Sequence, residues 1–257
     1  MNMVLKRLFI IITLLFTWLG AQAQGSMYTR KVKLQDFPVR TTKVVAEGSS
    51  ILAMRFRDEV AARWRISPFE FCSDEEHERL KSDNSLYFLY IGVNEGVAFM
   101  TLRKGGREDD EDNMKKPFEV IKVPIANVED PSGKELIFMG AFVDIVQMFV
   151  EDAIESDNVA YSGLKHYNNR KLTGKRVYVD PEKVDSLYLN EEPNALLGIT
   201  IAPTNISFKT NCYKMLISAD THELYYYKKE KYKSAKDASF TESEIKQFDK
   251  RNGIIPR

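Results

Sequence analysis

The longest helical pattern in the chain runs from Glu135 to Ile154, and it is apolar around most of its circumference. Gly140, Asp144, Gln147 and Glu151 interrupt it at spacings of four, three and four residues, so they fall on one narrow stripe. A helix of that kind must be wrapped on most sides. Lipid is a poor wrapping, because Asp144, Gln147, Glu151 and Asp152 would all sit within the span. The expectation is therefore a helix packed by protein, its polar stripe forming the one wet edge. Asp144 is its acid of most chemical interest, since carboxylates placed among apolar residues often have shifted titration and mark binding or catalytic sites.

The segments on either side supply the wrapping. Residues 25–39 read as polar and extended, with Phe37-Pro38 marking irregular chain. Thr41 to Ala46 is a short strand, and Ser49 or Ser50 caps a helix to about Trp64 with Leu52, Phe56, Val60 and Trp64 as its apolar stripe. Phe69 to Cys72 alternates as a strand. Ser73-Asp74-Glu75-Glu76 is a capping box for a second helix. Leu86 to Ile91 is a continuous apolar-aromatic strand, and Asn94-Glu95-Gly96 turns it into Val97 to Arg103. The opening order is β-α-β-α-β-β, which predicts an α/β fold with a mixed β-sheet and helices packed on it, α+β being the neighbouring class. Further on, Phe118 to Ile125, Arg176 to Val179, Leu196 to Ala202 and Cys212 to Ser218 read as strands, and Ser156 to Gly174 as a polar connection. Ala219 to His222 is a tight turn into Leu224 to Tyr232, a C-terminal hairpin. Thr241-x-x-Glu244 opens a last helix to about Arg251, with Gly253 beyond it. Two halves, 25–106 and 118–257, are separated by an acidic loop or linker at 107–117, or form one continuous domain across it. The likeness of Phe71 to Leu80 and Phe240 to Phe248 is taken as coincidence.

Residues 1–24 have the form of a Sec-type signal peptide. Lys6 and Arg7 precede the apolar run Leu8 to Leu19, and Ala21-Gln22-Ala23 is an A-x-A cleavage site. The expected location is periplasmic or secreted, with no stable membrane span after cleavage. Removal of Lys6 and Arg7 with the leader leaves 35 basic residues against 37 acidic. That balance lacks the positive excess of a nucleic-acid binder. Cys72 and Cys212 are the only cysteines and would enter an oxidising compartment. A disulfide joining them would close a loop of roughly 140 residues, nominally worth ~4–5 kcal/mol. Two separately buried thiols account for the sequence equally well.

Recognisable catalytic patterns are missing from the sequence. His77, His166 and His222 are scattered with no metal-ligand spacing, no G-x-S-x-G or S-x-x-K supplies a nucleophile, and no Gly-rich loop cradles phosphate. No metal and no cofactor is expected. The acids Glu108 to Asp112 lack the D-x-D-x-D-G register of a calcium loop and read as a solvated loop. The run Leu224 to Lys233 mixes Tyr and Lys. Strict strand alternation would place Tyr225, Tyr227, Lys229, Lys231 and Lys233 on one face, a combination able to hold polysaccharide or single-stranded nucleic acid, of which export and the balanced charge disfavour the nucleic acid. Its plainer role is an edge strand whose lysines discourage pairing.

The leader ending Ala21-Gln22-Ala23-Gln24 is similar to those of Bacteroidetes secreted proteins. The block Trp64-x-x-x-Pro68-Phe69-Glu70-Phe71-Cys72-Ser73-x-Glu75-Glu76 with Tyr87-Phe88-Leu89, and the later Ile217-x-Ala219-Asp220-Thr221-x-Glu223-Leu224-Tyr225-Tyr226, resemble segments of uncharacterised exported proteins in that group. The resemblance implies export and carries over no activity and no catalytic residue. The reading that follows is a non-enzymatic periplasmic or envelope protein binding a protein partner or a small ligand, with Tyr225, Tyr227, Lys229, Lys231 and Asp144 as candidate binding residues. The alternative is a hydrolase or other enzyme whose carboxylates, Asp144 or those between Glu70 and Glu76, converge only in three dimensions.

Overall fold

A computed structural model describes residues 29–207 and 209–252. The expected leader at 1–24 and the expected helix stop at Gly253 lie outside the described residues. Thr29 caps a short helix, α1 (Arg30–Leu34), its hydroxyl accepting from the Val32 N–H, and a 3-10 turn follows at Phe37–Val39. The extended reading is thus corrected over 29–39, and residues 25–28 lie outside the described residues. Leu34 and Phe37 are both buried, and Asp36 is clasped by Lys104 Nζ at 2.8 and 2.9 Å and by the Tyr87 hydroxyl at 2.7 Å. Anchors spread over so few residues leave no helical period to read.

Strand β1 (Thr42–Val45), helix α2 (Ile51–Arg63, capped by Ser50), β2 (Phe69–Cys72) and α3 (Asp74–Leu80) follow as expected. The capping box before α3 is half made. Ser73 Oγ accepts from the Glu76 N–H at 3.1 Å, but the Glu76 carboxylate reaches Lys43 instead, at 3.0 Å. Next come β3 (Tyr87–Asn94), β4 (Val97–Lys104) and β5 (Phe118–Asn127). These strands form a sheet ordered β2-β1-β3-β4-β5, parallel through β2, β1 and β3 and antiparallel beyond.

The expected helix Glu135 to Ile154 divides at Phe138 into α4 (Lys134–Ile137) and α5 (Met139–Glu155). Phe138 leaves helical geometry (φ −90°, ψ 7°) and buries its ring 4.1 Å from that of Tyr188. The stripe on α5 is a wet edge only at Glu151, which is exposed. Gly140, Asp144 and Gln147 face α2, where Arg63 donates to Asp144 at 3.0 Å and the Arg65 N–H to Gln147 at 2.7 Å. A Cβ at Gly140 would come within 2.7 Å of Glu59 Oε2, so glycine permits this close polar seam. The polar connection 156–174 is ordered as α6 (Asp157–Ser162) and a 3-10 stretch, Gly163–Asn169.

The second sheet, ordered β6-β7-β8-β9, holds β6 (Arg176–Tyr178), β7 (Ala195–Ile201), β8 (Asn211–Ser218) and β9 (Leu224–Lys231), with α7 (Pro181–Leu189) crossing from β6 to parallel β7. Helix α8 (Glu242–Arg251) closes the described chain behind a complete Thr241–Glu244 capping box. The architecture is the expected α/β, with mixed sheets and helices packed on them. Both sheets follow one plan: a strand, a crossover helix, a parallel strand and an antiparallel meander, with β2 and α3 inserted in the first. Helices α3 and α8 are not equivalents within it, since α3 precedes its meander and α8 follows. Buried residues of both sheets and of α5 make one continuous core, and a smaller cluster lies beneath α8.

Cys72 closes β2 of the first sheet, and Cys212 is the second residue of β8 in the other; both are buried free thiols. The candidate disulfide is therefore corrected to two separate thiols. Among the described residues no helix is long and apolar enough to cross a membrane.

Candidate functional site: a basic cleft between the sheets

The Tyr–Lys run forms β9, an edge strand. Its register against β8 pairs Ile217 with Leu224 and Leu216 with Tyr226, which leaves Tyr225 as the extra residue of a bulge. Strict alternation fails there. Tyr225 joins Tyr226 in the cluster beneath α8, with Arg170 and Lys175 5.5 and 5.6 Å from its ring centre. Tyr227 and Lys229 keep the other face, and Lys231 follows them in period with an exposed side chain.

Tyr227 and Lys229 line a cleft of about 730 Å³, which lies between the two sheets and is walled by α6 and the 3-10 stretch after it. Phe99 of β4 and Tyr213 of β8 meet edge to face in it, 5.4 Å apart, so each sheet supplies one aromatic ring. The lining holds four cations, Arg30, Lys122, Lys165 and Lys229, against one carboxylate, Glu119. Among the described residues none of the four cations has an ion-pair partner. Three rest near aromatic faces instead: Lys122 Nζ lies 4.2 Å from the Phe99 ring centre, Lys229 Nζ 5.9 Å from Tyr213, and the Arg30 guanidinium 5.5 Å from Tyr161. Such contacts retain a cation without neutralising it. Burial pushes the Tyr213 hydroxyl up to about 12 and raises that of Tyr227, so both phenols stay neutral. His166 Nδ1 is buried in the wall with no hydrogen-bond partner among the described residues.

The opposite face of β9 shows that lysines here can be paired. Lys214 Nζ contacts Glu230 at 2.7 Å and Glu244 at 3.1 Å, and Lys228 Nζ contacts the same two acids at 2.7 and 2.8 Å. The Tyr226 hydroxyl also donates to Glu244, at 3.1 Å. Burial alone would raise the Glu244 carboxyl. Bonds from Lys228, the Thr241 N–H and Lys214 outweigh it and hold the group at about 2.

Asp144 lies away from the cleft. Its Oδ2 meets His222 Nδ1 at 2.6 Å and accepts from Arg63 at 3.0 Å, while Gln147 donates to Oδ1 at 3.3 Å. The His222 ring stacks on Tyr188, 5.3 Å between centroids. Neither Asp144 nor His222 lines the basic cleft. The acidic loop is occupied with itself: Asp109 pairs with Arg107, Glu108 with Arg103, and Asp110 and Asp112 accept from main-chain N–H groups two residues on. Among the described residues no cluster of three or more His, Cys, Asp or Glu is disposed to hold a metal ion.

Of the residues singled out by sequence, the fold brings Tyr227 and Lys229 to the cleft, turns Tyr225 behind it, leaves Lys231 further along the edge and commits Asp144 to an interhelical seam. Arg30, Lys122, Lys165, Tyr161 and His166 were not singled out. Only Lys122 carried a signal, as a lone cation in the apolar strand Phe118 to Ile125. Compared with family models, curated proteins and solved structures, the chain matches none.

Proposed function

We propose that the chain is an exported, periplasmic or secreted, non-enzymatic binding protein that takes an anionic ligand in the cleft between its sheets. The supporting observation is local charge. The whole sequence balances 37 basic against 37 acidic residues, yet the cleft gathers four cations around one carboxylate and leaves them without ion pairs among the described residues. On the other face of the same strand, Lys228 is matched by Glu230 and Glu244. Uncompensated cations in a concave site cost self-repulsion, which a bound anion would relieve. The leader-like residues 1–24 and the resemblance to exported Bacteroidetes proteins support the location.

Calorimetric titration with poly-L-glutamate, polygalacturonate and neutral dextran tests this reading. An anionic polymer should bind with an affinity that falls as salt rises, dextran should not, and a Lys122→Ala/Lys229→Ala double variant should lose about tenfold or more. Failure of both anions to bind, or equal binding by the variant, would overturn it.

One observation favours a second reading, a hydrolase: the 2.6 Å contact of His222 with Asp144 has the geometry of a base and its orienting acid. Arg63 already shares that carboxylate oxygen, and neither residue lines the basic cleft. Turnover of nitrophenyl esters or glycosides that disappears in His222→Gln would establish it. Turnover absent, or unchanged by that variant, would remove it.

A further inference from the structure

Asn168 treats Tyr227 as a neighbouring strand would. Its Oδ1 accepts from the Tyr227 N–H at 2.7 Å and its Nδ2 donates to the Tyr227 carbonyl at 2.9 Å. Both main-chain groups of Tyr227 therefore point away from β8. In an antiparallel pair the outward groups recur every second residue. The N–H and C=O of Lys229 and Lys231 must then lie on that same open edge. The inward set is marked from the other end, where the Tyr232 N–H bonds the Thr210 carbonyl of the β8 side at 3.1 Å.

The upstream part of the edge is closed. The Leu224 carbonyl accepts from Arg170 at 3.2 Å and the Tyr225 carbonyl from Arg251 at 3.1 Å. Past Asn168, no bond reaches the outward main-chain groups of Lys229 or Lys231 from the described residues. An unpaired run of this kind is a template for another strand. Its lysines select which strand. A second copy of β9 would bring like charges face to face, whereas acids at alternate positions would lie beside Lys229, with Lys122 and Lys165 across the cleft.

We infer that the β9 edge at Lys229 and Lys231 accepts an extended acidic peptide as an added strand, its acidic side chains at every second position directed into the basic cleft. The inference rests on the cleft being the binding site, and adds to it the ligand class and the mode of binding. Main-chain bonds supply affinity in this mode, and the side-chain pattern supplies specificity.

The test uses the full chain, a short soluble peptide alternating Glu and Val, two versions N-methylated in the two alternate registers, and polygalacturonate. The Glu–Val peptide should bind and slow amide exchange at Lys229 and Lys231 about tenfold or more, while the Tyr227 amide, already bonded to Asn168, should hardly change. Methylation in one register should weaken binding about tenfold or more, and in the other by no more than about twofold, because only one set of N–H groups faces β9. Binding with no protection at Lys229 and Lys231 and no register dependence would overturn strand addition and leave the anionic cleft standing. Binding of polygalacturonate without the peptide would do the same. Failure of both would overturn strand addition and the cleft reading together.

Discussion

The Asp144 carboxylate of α5 meets the His222 ring, 78 residues further along the chain, at 2.6 Å. His222 occupies the left-handed region (φ 57°) in the β8–β9 turn, a conformation uncommon for a non-glycine residue. Because Arg63 of α2 donates to the same oxygen, one carboxylate ties the β8–β9 turn of the second sheet to both α5 and α2.

Asp144→Ala should therefore destabilise the whole fold and not only one helix. Removing the acceptor strands the histidine and leaves Arg63 with Glu59 alone at a partly buried seam, and the expected loss is about 1–3 kcal/mol. In a chain of this size each kcal/mol corresponds to roughly 2–4 °C in Tm. Urea unfolding followed by circular dichroism reads the change, and a loss below about 0.5 kcal/mol would show that the seam does not hold the halves.

The Glu244 network predicts a pH dependence. The carboxyl lies at about 2 in the fold against an ordinary 4.5, so its ionised form contributes stability that is complete above 4.5 and lost as pH falls from 4.5 towards 2. Glu244→Gln should be less stable than the wild type at neutral pH and should flatten this part of the acid limb. Lys214→Met, which leaves Glu230 and Glu244 sharing Lys228 alone, should cost about 3–5 kcal/mol at neutral pH. Denaturant midpoints measured from pH 2 to 7 test both.

Two free thiols should be countable. Burial pushes Cys212 up to about 11 and raises Cys72, and the Cys212 Sγ donates to the Asp237 carbonyl at 3.2 Å. Both should resist a thiol reagent in the native protein and both should react in denaturant without prior reduction. A reductant-dependent mass change of two hydrogens would contradict the separate thiols.

Asn168→Ala removes two main-chain bonds from the edge of β9 at once. The variant should lose about 1–3 kcal/mol, because the Tyr227 N–H and C=O are partly buried. With the uncapped edge lengthened, self-association should rise with concentration and with salt, as salt screens the lysines. Analytical ultracentrifugation at two ionic strengths would detect it.

Much of the fold was legible because its signals are short-range. Ser50, Ser73 and Thr241 each accept from an N–H three residues on, so the sequence alone locates those helix starts. What failed did so at defined places. Phe138 divides one apolar helix in two because Tyr188, distant in sequence, offers its ring a better seat. The face assignment of β9 broke at Tyr225 because a bulge depends on the register of the partner strand, which alternation along one strand does not contain.

From its own residues the chain determined an α/β fold, the buried character of α5 and a strand of tyrosines and lysines, since caps, turns and hydrophobic periods act within a few neighbours. Tertiary structure alone decided that Lys229 would share a cleft with Arg30 and Lys122, that Asp144 would meet His222 and that Cys72 and Cys212 would stay apart. Those outcomes depend on how two sheets are packed around one helix, and that packing is the joint result of contacts made by residues far apart in the sequence.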